Sequence, residues 1–309
     1  MSTTNGTATS GTARNGEVEL FYETFGDPAD VPLLLVNGLG SQCTAYVDAL
    51  CQEYVDAGFF AIRFDNRDVG LSTKFADVQP DLGKVVAAMR AGESPDVPYL
   101  LTDMAADGVA VLDALGIDRA HVFGVSMGGM IVQTMAIEHP ERLISLTSVM
   151  STSGDRTVGQ ASAEASKLLF TPAGPTRDDA IARAILGART YGSPDHIDAE
   201  ALAARAGAAY DRCFHPEGVG RQLMAINASG DRSAALESVT TPTLVIHGDQ
   251  DRLIDMSGGV RTAELVPGAK LVVLKGMGHD HPPAYWDRIV ELVTDHAAAA
   301  QVEAEPDPI

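Results

Sequence analysis

Cysteine is scarce in this chain. Its 309 residues hold three, Cys43, Cys51 and Cys213, and no C-x-x-C pair. That excludes a disulfide framework and a cysteine-ligated zinc site. Basic residues are also few, 22 Lys and Arg against 42 Asp and Glu, for a net charge of −20. A surface this acidic repels nucleic-acid phosphates and anionic membranes, so neither is expected as a partner, and it disfavours a strongly anionic small molecule. No segment approaches the roughly 18 apolar residues of a membrane-spanning helix. Met1–Gly16 is rich in Ser, Thr, Gly and Ala and has no apolar run. It reads as neither a signal peptide nor an anchor; a disordered tail over 1–16 and a cytoplasmic location are expected. His, Cys, Asp and Glu show no metal-ligand spacing, and Gly38-Leu39-Gly40 carries neither a dinucleotide fingerprint nor a Walker lysine. No metal and no cofactor is therefore expected.

What is present suffices for a full core. Hydrophobic residues make up 45% of the chain, and this length can bury one domain plus an insertion. Glu17–Thr24 alternates as a strand. Pro32–Val36, Phe59–Phe64, Leu143–Val149 and Thr243–His247 are apolar runs that read as buried strands. Ala45–Ala57, Leu101–Leu115 and Met256–Val266 read as helices, and 76–98 as mostly loop with a helical turn. Strands alternating with helices predict an α/β fold, a mostly parallel sheet with helices on both faces. After Met150 the composition shifts to Ala, Arg and Asp, with helical patches at Ala161–Leu169, Asp178–Leu186 and Ile197–Tyr210. The expected organisation is a core of 17–150 and 239–299, a helical insertion over 151–238 and a frayed end over 300–309.

One motif carries chemistry. Gly124-Val125-Ser126-Met127-Gly128 lies between a strand-like Ala120–Phe123 and a helix-like Gly129–Ala136. Strand, G-x-S-x-G, helix is the setting of a nucleophile elbow, with the helix N-terminus directed at a developing oxyanion. With 30 glycines in the chain the pentapeptide alone is weak; a small-residue turn packing a helix on a sheet is the competing reading. Two later turns strengthen the first. The strand Thr243–His247 ends at Asp249-Gln250-Asp251, and the strand Ala269–Leu274 ends at Gly276-Met277-Gly278-His279-Asp280-His281. Ser, then Asp after a strand, then His after the next strand is one of the known orders of a serine triad.

These residues resemble the α/β-hydrolase superfamily. Leu33–Gly40 resembles its loop after the third strand, and Phe64–Ser72 its Asp-x-Arg-x-x-Gly-x-Ser segment. Glu17–Gly40, Phe64–Ser72 and Val122–Gly129 are most similar to aclacinomycin methylesterase and related actinobacterial esterases. The resemblance covers about 17–150 and 240–299. It implies Ser126 as nucleophile, His279 as base, Asp251 rather than Asp249 as the acid, and the backbone N–H groups of Leu39 and Met127 as the oxyanion hole. It also implies that 151–238 is a cap over the nucleophile, supplying the substrate-binding residues. Asn37 stands where the family usually has His, which puts that loop's supporting hydrogen bonds in question.

Several residues have plainer readings. Asp249 reads as a turn carboxylate and His281, before Pro282, as a capping or rim residue. His247 reads as a satisfied core histidine, and His121, His139, His196, His215 and His296 as surface or packing residues. Cys43 reads as buried rather than a catalytic thiol, and Asp65 with Arg67 as a structural ion pair. Met127 can also line the pocket. The expected activity is hydrolysis of a carboxylic ester of a neutral, apolar small molecule through an acyl-enzyme. Rival readings are hydrolysis of a thioester, lactone or C–C bond, a cofactor-free perhydrolase, and a non-catalytic binding protein. A homo-oligomer is compatible with the sequence.

Overall fold

The computed structural model describes residues 8–171 and 174–304. Eight strands form one sheet: β1 (Thr9–Asn15), β2 (Val18–Phe25), β3 (Val31–Val36), β4 (Phe59–Phe64), β5 (Ala120–Val125), β6 (Leu143–Val149), β7 (Thr243–Gly248) and β8 (Lys270–Leu274). Their order is β1-β2-β4-β3-β5-β6-β7-β8. The two pairings of β2 are antiparallel and all others parallel. Helices α1 (Asp48–Asp56), α2 (Leu82–Ala91), α3 (Leu101–Ala114), α4 (Met127–Glu138), α10 (Ser257–Leu265) and α11 (Trp286–Ala304) accompany the strands. Residues 151–238 hold α5 (Ala163–Phe170), α6 (Arg177–Tyr191), α7 (Ala199–Arg212), α8 (Pro216–Ser229) and α9 (Ser233–Leu236), and no strand among the described residues. No helix among the described residues is long and apolar enough to cross a membrane.

Alternation along the central strands splits the core in two. Leu34 and Val36 of β3 face one layer with Ile62, Val122, Ile131 and Met135. Leu33 and Leu35 face the other with Tyr54, Phe123, Ile246 and Ile289. Both layers are buried, and α4 is apolar nearly all round because it is buried nearly all round. Parallel pairing then delivers the site. Val125↔Val149 and Gly248↔Leu274 are in register, so the turns after β5, β6, β7 and β8 open on one edge of the sheet.

Three sequence expectations are corrected. The tail expected to be disordered forms β1 over Thr9–Asn15, paired along its whole length with β2; residues 1–7 lie outside the described residues. TSGTARN offers no apolar alternation, and only Ala13 is fully buried, so the strand is held by its ladder rather than by a core face. The segment expected as mostly loop contains α2, ten residues capped by the Asp81 side chain on the Lys84 N–H, with Val85 packed inward. At the other end, α11 runs on to Ala304, so residues 300–304 are helical rather than frayed; 305–309 lie outside the described residues.

Candidate active site

Ser126 sits between β5 and α4 with φ 54° and ψ −119°. A non-glycine residue there is strained and held by its surroundings. Its N–H donates to the Val149 carbonyl at 2.9 Å, and its own carbonyl accepts from Ser151 Oγ at 2.8 Å and the Met130 N–H at 3.2 Å. The turn also needs its two glycines. A Cβ on Gly124 would lie 2.2 Å from the Gly128 carbonyl oxygen, and one on Gly128 would lie 2.1 Å from that of Val36. No side chain fits either place.

The structure brings Ser126, His279 and Asp251 together. His279 Nε2 lies 2.9 Å from Ser126 Oγ, and His279 Nδ1 lies 2.7 Å from Asp251 Oδ2. The other Asp251 oxygen accepts from the Leu253 and Ile254 N–H groups at 2.8 and 2.9 Å. Burial alone would push the Asp251 carboxyl up in pKa. The His279 charge and hydrogen bonds from His247 and His279 outweigh it and hold the group well below the usual carboxylate range. Asp249 is exposed and accepts only from the Gly276 N–H, at 2.7 Å. It braces the turn and does not reach the imidazole's neighbourhood.

The loop Asn37–Gly40 lies against the serine: a Cβ on Gly38 would stand 3.2 Å from Ser126 Cβ. Met127 is the first residue of α4, so its N–H has no partner inside the helix. Its side chain is 1% exposed in the core, which makes it a packing group rather than an exposed pocket wall. Asn37 is 2% exposed; its amide donates to the Gln42 carbonyl at 3.1 Å, and its carbonyl accepts from Asn66 at 3.0 Å. The Asn37 side chain thus ties the two ends of the loop 37–42 together.

Some partners of the site had no sequence signal. Gln222 of α8 accepts from the Gly40 N–H at 2.8 Å and donates to the Arg67 carbonyl at 2.9 Å. It ties the loop after β3 to the 151–238 segment. The Tyr191 carbonyl accepts from the His279 N–H at 2.6 Å, and the Tyr191 ring stands edge-on to the imidazole. His247 Nε2 lies 2.8 Å from the Ile254 carbonyl and 3.3 Å from Asp251 Oδ2, while its Nδ1 is buried without a partner. Its position four residues before Asp251 was the one available hint. His281 is no cap; it is half-buried and stacks on Phe123, its carbonyl accepting from Trp286 Nε1.

Asp65 and Arg67 do not pair with each other. Arg67 grips Asp107 at 2.6 and 2.7 Å, and Asp65 pairs with Arg212 of α7 at 2.8 Å. Both are structural, but each reaches a different element. Cys43 is fully buried, and burial pushes its thiol far above the ordinary range, so it is no nucleophile. Two cavities flank the region. One of about 370 Å³ adjoins Asp251 and Arg252. Another of about 190 Å³ is lined by Met130, Thr152, Ile226, Asn227 and Arg232. Among the large side chains of 151–238, Phe170 is exposed, Met224 is buried in the core, and the Tyr210 and Phe214 rings pack against each other.

Residues 33–292 match the alpha/beta hydrolase family, and the chain belongs to it. Rhodomycin D methylesterase DnrP of Streptomyces peucetius is 30% identical over 315 residues, covering 93% of this chain and 98% of that protein. 3-Oxoadipate enol-lactonase 2 of Acinetobacter baylyi is 26% identical over 284 residues, covering 90% and 93%. The solved structure of 2-hydroxy-6-oxo-6-phenylhexa-2,4-dienoate hydrolase from Rhodococcus sp. strain RHA1 matches with a TM-score of 0.74 at 18% identity, covering 94% of this chain and 99% of that one. That last likeness is one of fold.

Proposed function

We propose that this chain is a carboxylic ester hydrolase working through an acyl-enzyme on Ser126. The observation that carries the reading is the unbroken line from Asp251 Oδ2 through both His279 nitrogens to Ser126 Oγ, with contacts of 2.7 and 2.9 Å. A serine hydroxyl needs a base at that distance to attack at neutral pH. His279 takes the Oγ proton as the oxygen adds to the ester carbonyl. Asp251 keeps the remaining proton on Nδ1 and stabilises the imidazolium. The oxyanion accepts from the Met127 and Leu39 N–H groups. His279 then protonates the departing alcohol, and a water molecule repeats the sequence to free the acid.

The methylesterase relative supports a small alcohol as the leaving group. The helices of 151–238 act as the cap, since Tyr191 and Gln222 already bear on the histidine and the oxyanion loop. Next to the reacting carbonyl the substrate is uncharged and apolar, facing Leu39 and the Tyr191 ring. The enol-lactonase relative favours a second reading, in which the ester is cyclic and the same atoms open it.

The test is turnover of methyl esters of bulky aromatic acids, p-nitrophenyl esters and enol lactones by wild-type, Ser126→Ala and His279→Ala proteins. Loss of either residue should cost on the order of a million-fold in kcat, and the double variant little more, because the two act as a unit. Activity above a few per cent in Ser126→Ala would remove the acyl-enzyme from consideration.

A further inference from the structure

Among the described residues, no carboxylate contacts the buried Arg232 guanidinium. Arg232 lies between α8 and α9 and is 7% exposed. Its side-chain hydrogen bonds among the described residues are all to neutral oxygens. Nη2 donates to the Thr152 carbonyl at 2.8 Å; Gln133 Oε1 lies 3.3 and 3.4 Å from Nη2 and Nε, and the Gly230 carbonyl 3.4 Å from Nη1. Only the first is a good hydrogen bond. The adjacent Asp231 carboxylate accepts from Ser233 rather than from Arg232 and acts on it only as a nearby opposing charge. The other well-buried guanidinium groups here each hold a carboxylate: Arg63 has Glu23, Arg67 has Asp107 and Arg221 has Asp68. Burial pulls Arg232 down to about 10, so it remains charged at neutral pH. A buried charge with no carboxylate in contact is destabilising unless something else supplies a counter-charge.

Arg232 is one of the residues lining the cavity of about 190 Å³. The cavity wall reaches the backbone of the turn that carries Ser126. Met130 of its wall donates to the Ser126 carbonyl, and Ser151, which precedes the wall residue Thr152, donates to the same oxygen. A space of about 150 Å³ holds a benzene molecule, so this one takes a ring or short chain bearing a small polar group. Two other charged residues line it. The Asp155 carboxylate is engaged by Thr157 at 2.8 and 2.6 Å and faces Arg261 at 3.6 Å; Arg156 is exposed and adds positive charge.

We propose that this cavity is a subsite for a carboxylate carried on a compact ring or short chain, with Arg232 as its counter-charge. The inference rests on the ester-hydrolase reading only in making that carboxylate the far end of the substrate, beyond an apolar region at the reacting carbonyl. It departs from the uncharged ligand that the net charge of −20 suggests. Surface charge acts at long range and is screened within about 8–10 Å, whereas a buried guanidinium acts at contact.

The test is calorimetric binding of benzoate and of benzamide, which share a ring and differ in charge, to wild-type, Arg232→Gln and Arg232→Lys proteins. Benzoate should bind wild type at least about tenfold more tightly than benzamide. That preference should persist in part in Arg232→Lys and vanish in Arg232→Gln. Equal binding of the two ligands by wild type, or a preference that survives in Arg232→Gln, overturns the subsite. Should the glutamine variant fail to fold, the wild-type ratio and the lysine variant decide. Wild-type turnover of p-nitrophenyl acetate is followed beside it: its absence counts against the esterase reading alone, and the benzoate ratio still judges the subsite.

Discussion

Two carboxylates stand two residues apart after β7, and their surroundings give them different work. Asp251 has a buried side chain, two backbone donors on one oxygen and His279 on the other. Asp249 is exposed and holds one loop amide. Asp251→Asn should leave the fold intact but present a donor to His279 Nδ1, favouring the wrong tautomer and lowering kcat by up to about 10⁴-fold. Asp249→Asn should lower it less than about tenfold, as a surface change away from the chemistry does. Steady-state kinetics on one ester substrate ranks the two. The reverse order would move the orienting role to Asp249. The sequence brought both aspartates to the right turn but left the choice to family resemblance. What separates them, burial and the Leu253 and Ile254 amides, is set by how the turn folds back over β7.

Helix α8 carries more of the site than its sequence suggests. Beside Gln222, which holds the loop after β3, Arg221 is fully buried and grips Asp68 at 2.9 Å through both Nε and Nη2. Tyr99 donates to the same carboxylate at 2.6 Å. Asp68 sits at φ 70°, a conformation that Asp tolerates better than most residues. Arg221→Met keeps the volume and leaves Asp68 buried without its cation, which should cost about 3–5 kcal/mol of unfolding free energy. Urea denaturation checks it; a loss under about 1 kcal/mol would mean that the pair does not anchor α8. The strands β3 to β8 and helices α3 and α4 were readable because apolar periodicity and glycine stops are local. The segment PEGVGRQLMAINAS was not. Its two polar anchors, Arg221 and Gln222, are satisfied by Asp68, Gly40 and Arg67, more than 140 positions away in the chain, and no local pattern announces such a contact. The same holds for β1, whose only strong signal is its partner strand.

For the whole molecule, two opposing terms govern the response to acid. Protonation relieves the self-repulsion of a −20 chain. Against it stand two histidines held below their ordinary pKa. His121 is 1% exposed, and burial, followed by the charges of His296 and Arg119, lowers it to about 4; burial alone does the same to His281. Unfolded, both return to about 6.5. Between those values the unfolded chain binds more protons, so their contribution is intact above about pH 6.5 and is lost as pH falls towards 4. His121 alone accounts for about 3 kcal/mol by pH 4. Asp251, also depressed, adds its loss only below its unfolded value of about 3.9. His121→Asn should therefore flatten the decline in unfolding free energy between pH 7 and 4 relative to wild type. An unchanged slope would show that His121 titrates alike in both states.

The claim on which the rest depends is that Ser126 is the nucleophile and His279 its base. Labelling with a fluorophosphonate, followed by peptide mass mapping, tests it most directly, because the probe needs an activated serine and no knowledge of the natural ester. The account predicts one adduct, on Ser126, forming at least about a thousandfold more slowly in His279→Ala. An adduct on another serine, or a rate on Ser126 unaffected by loss of His279, would contradict it.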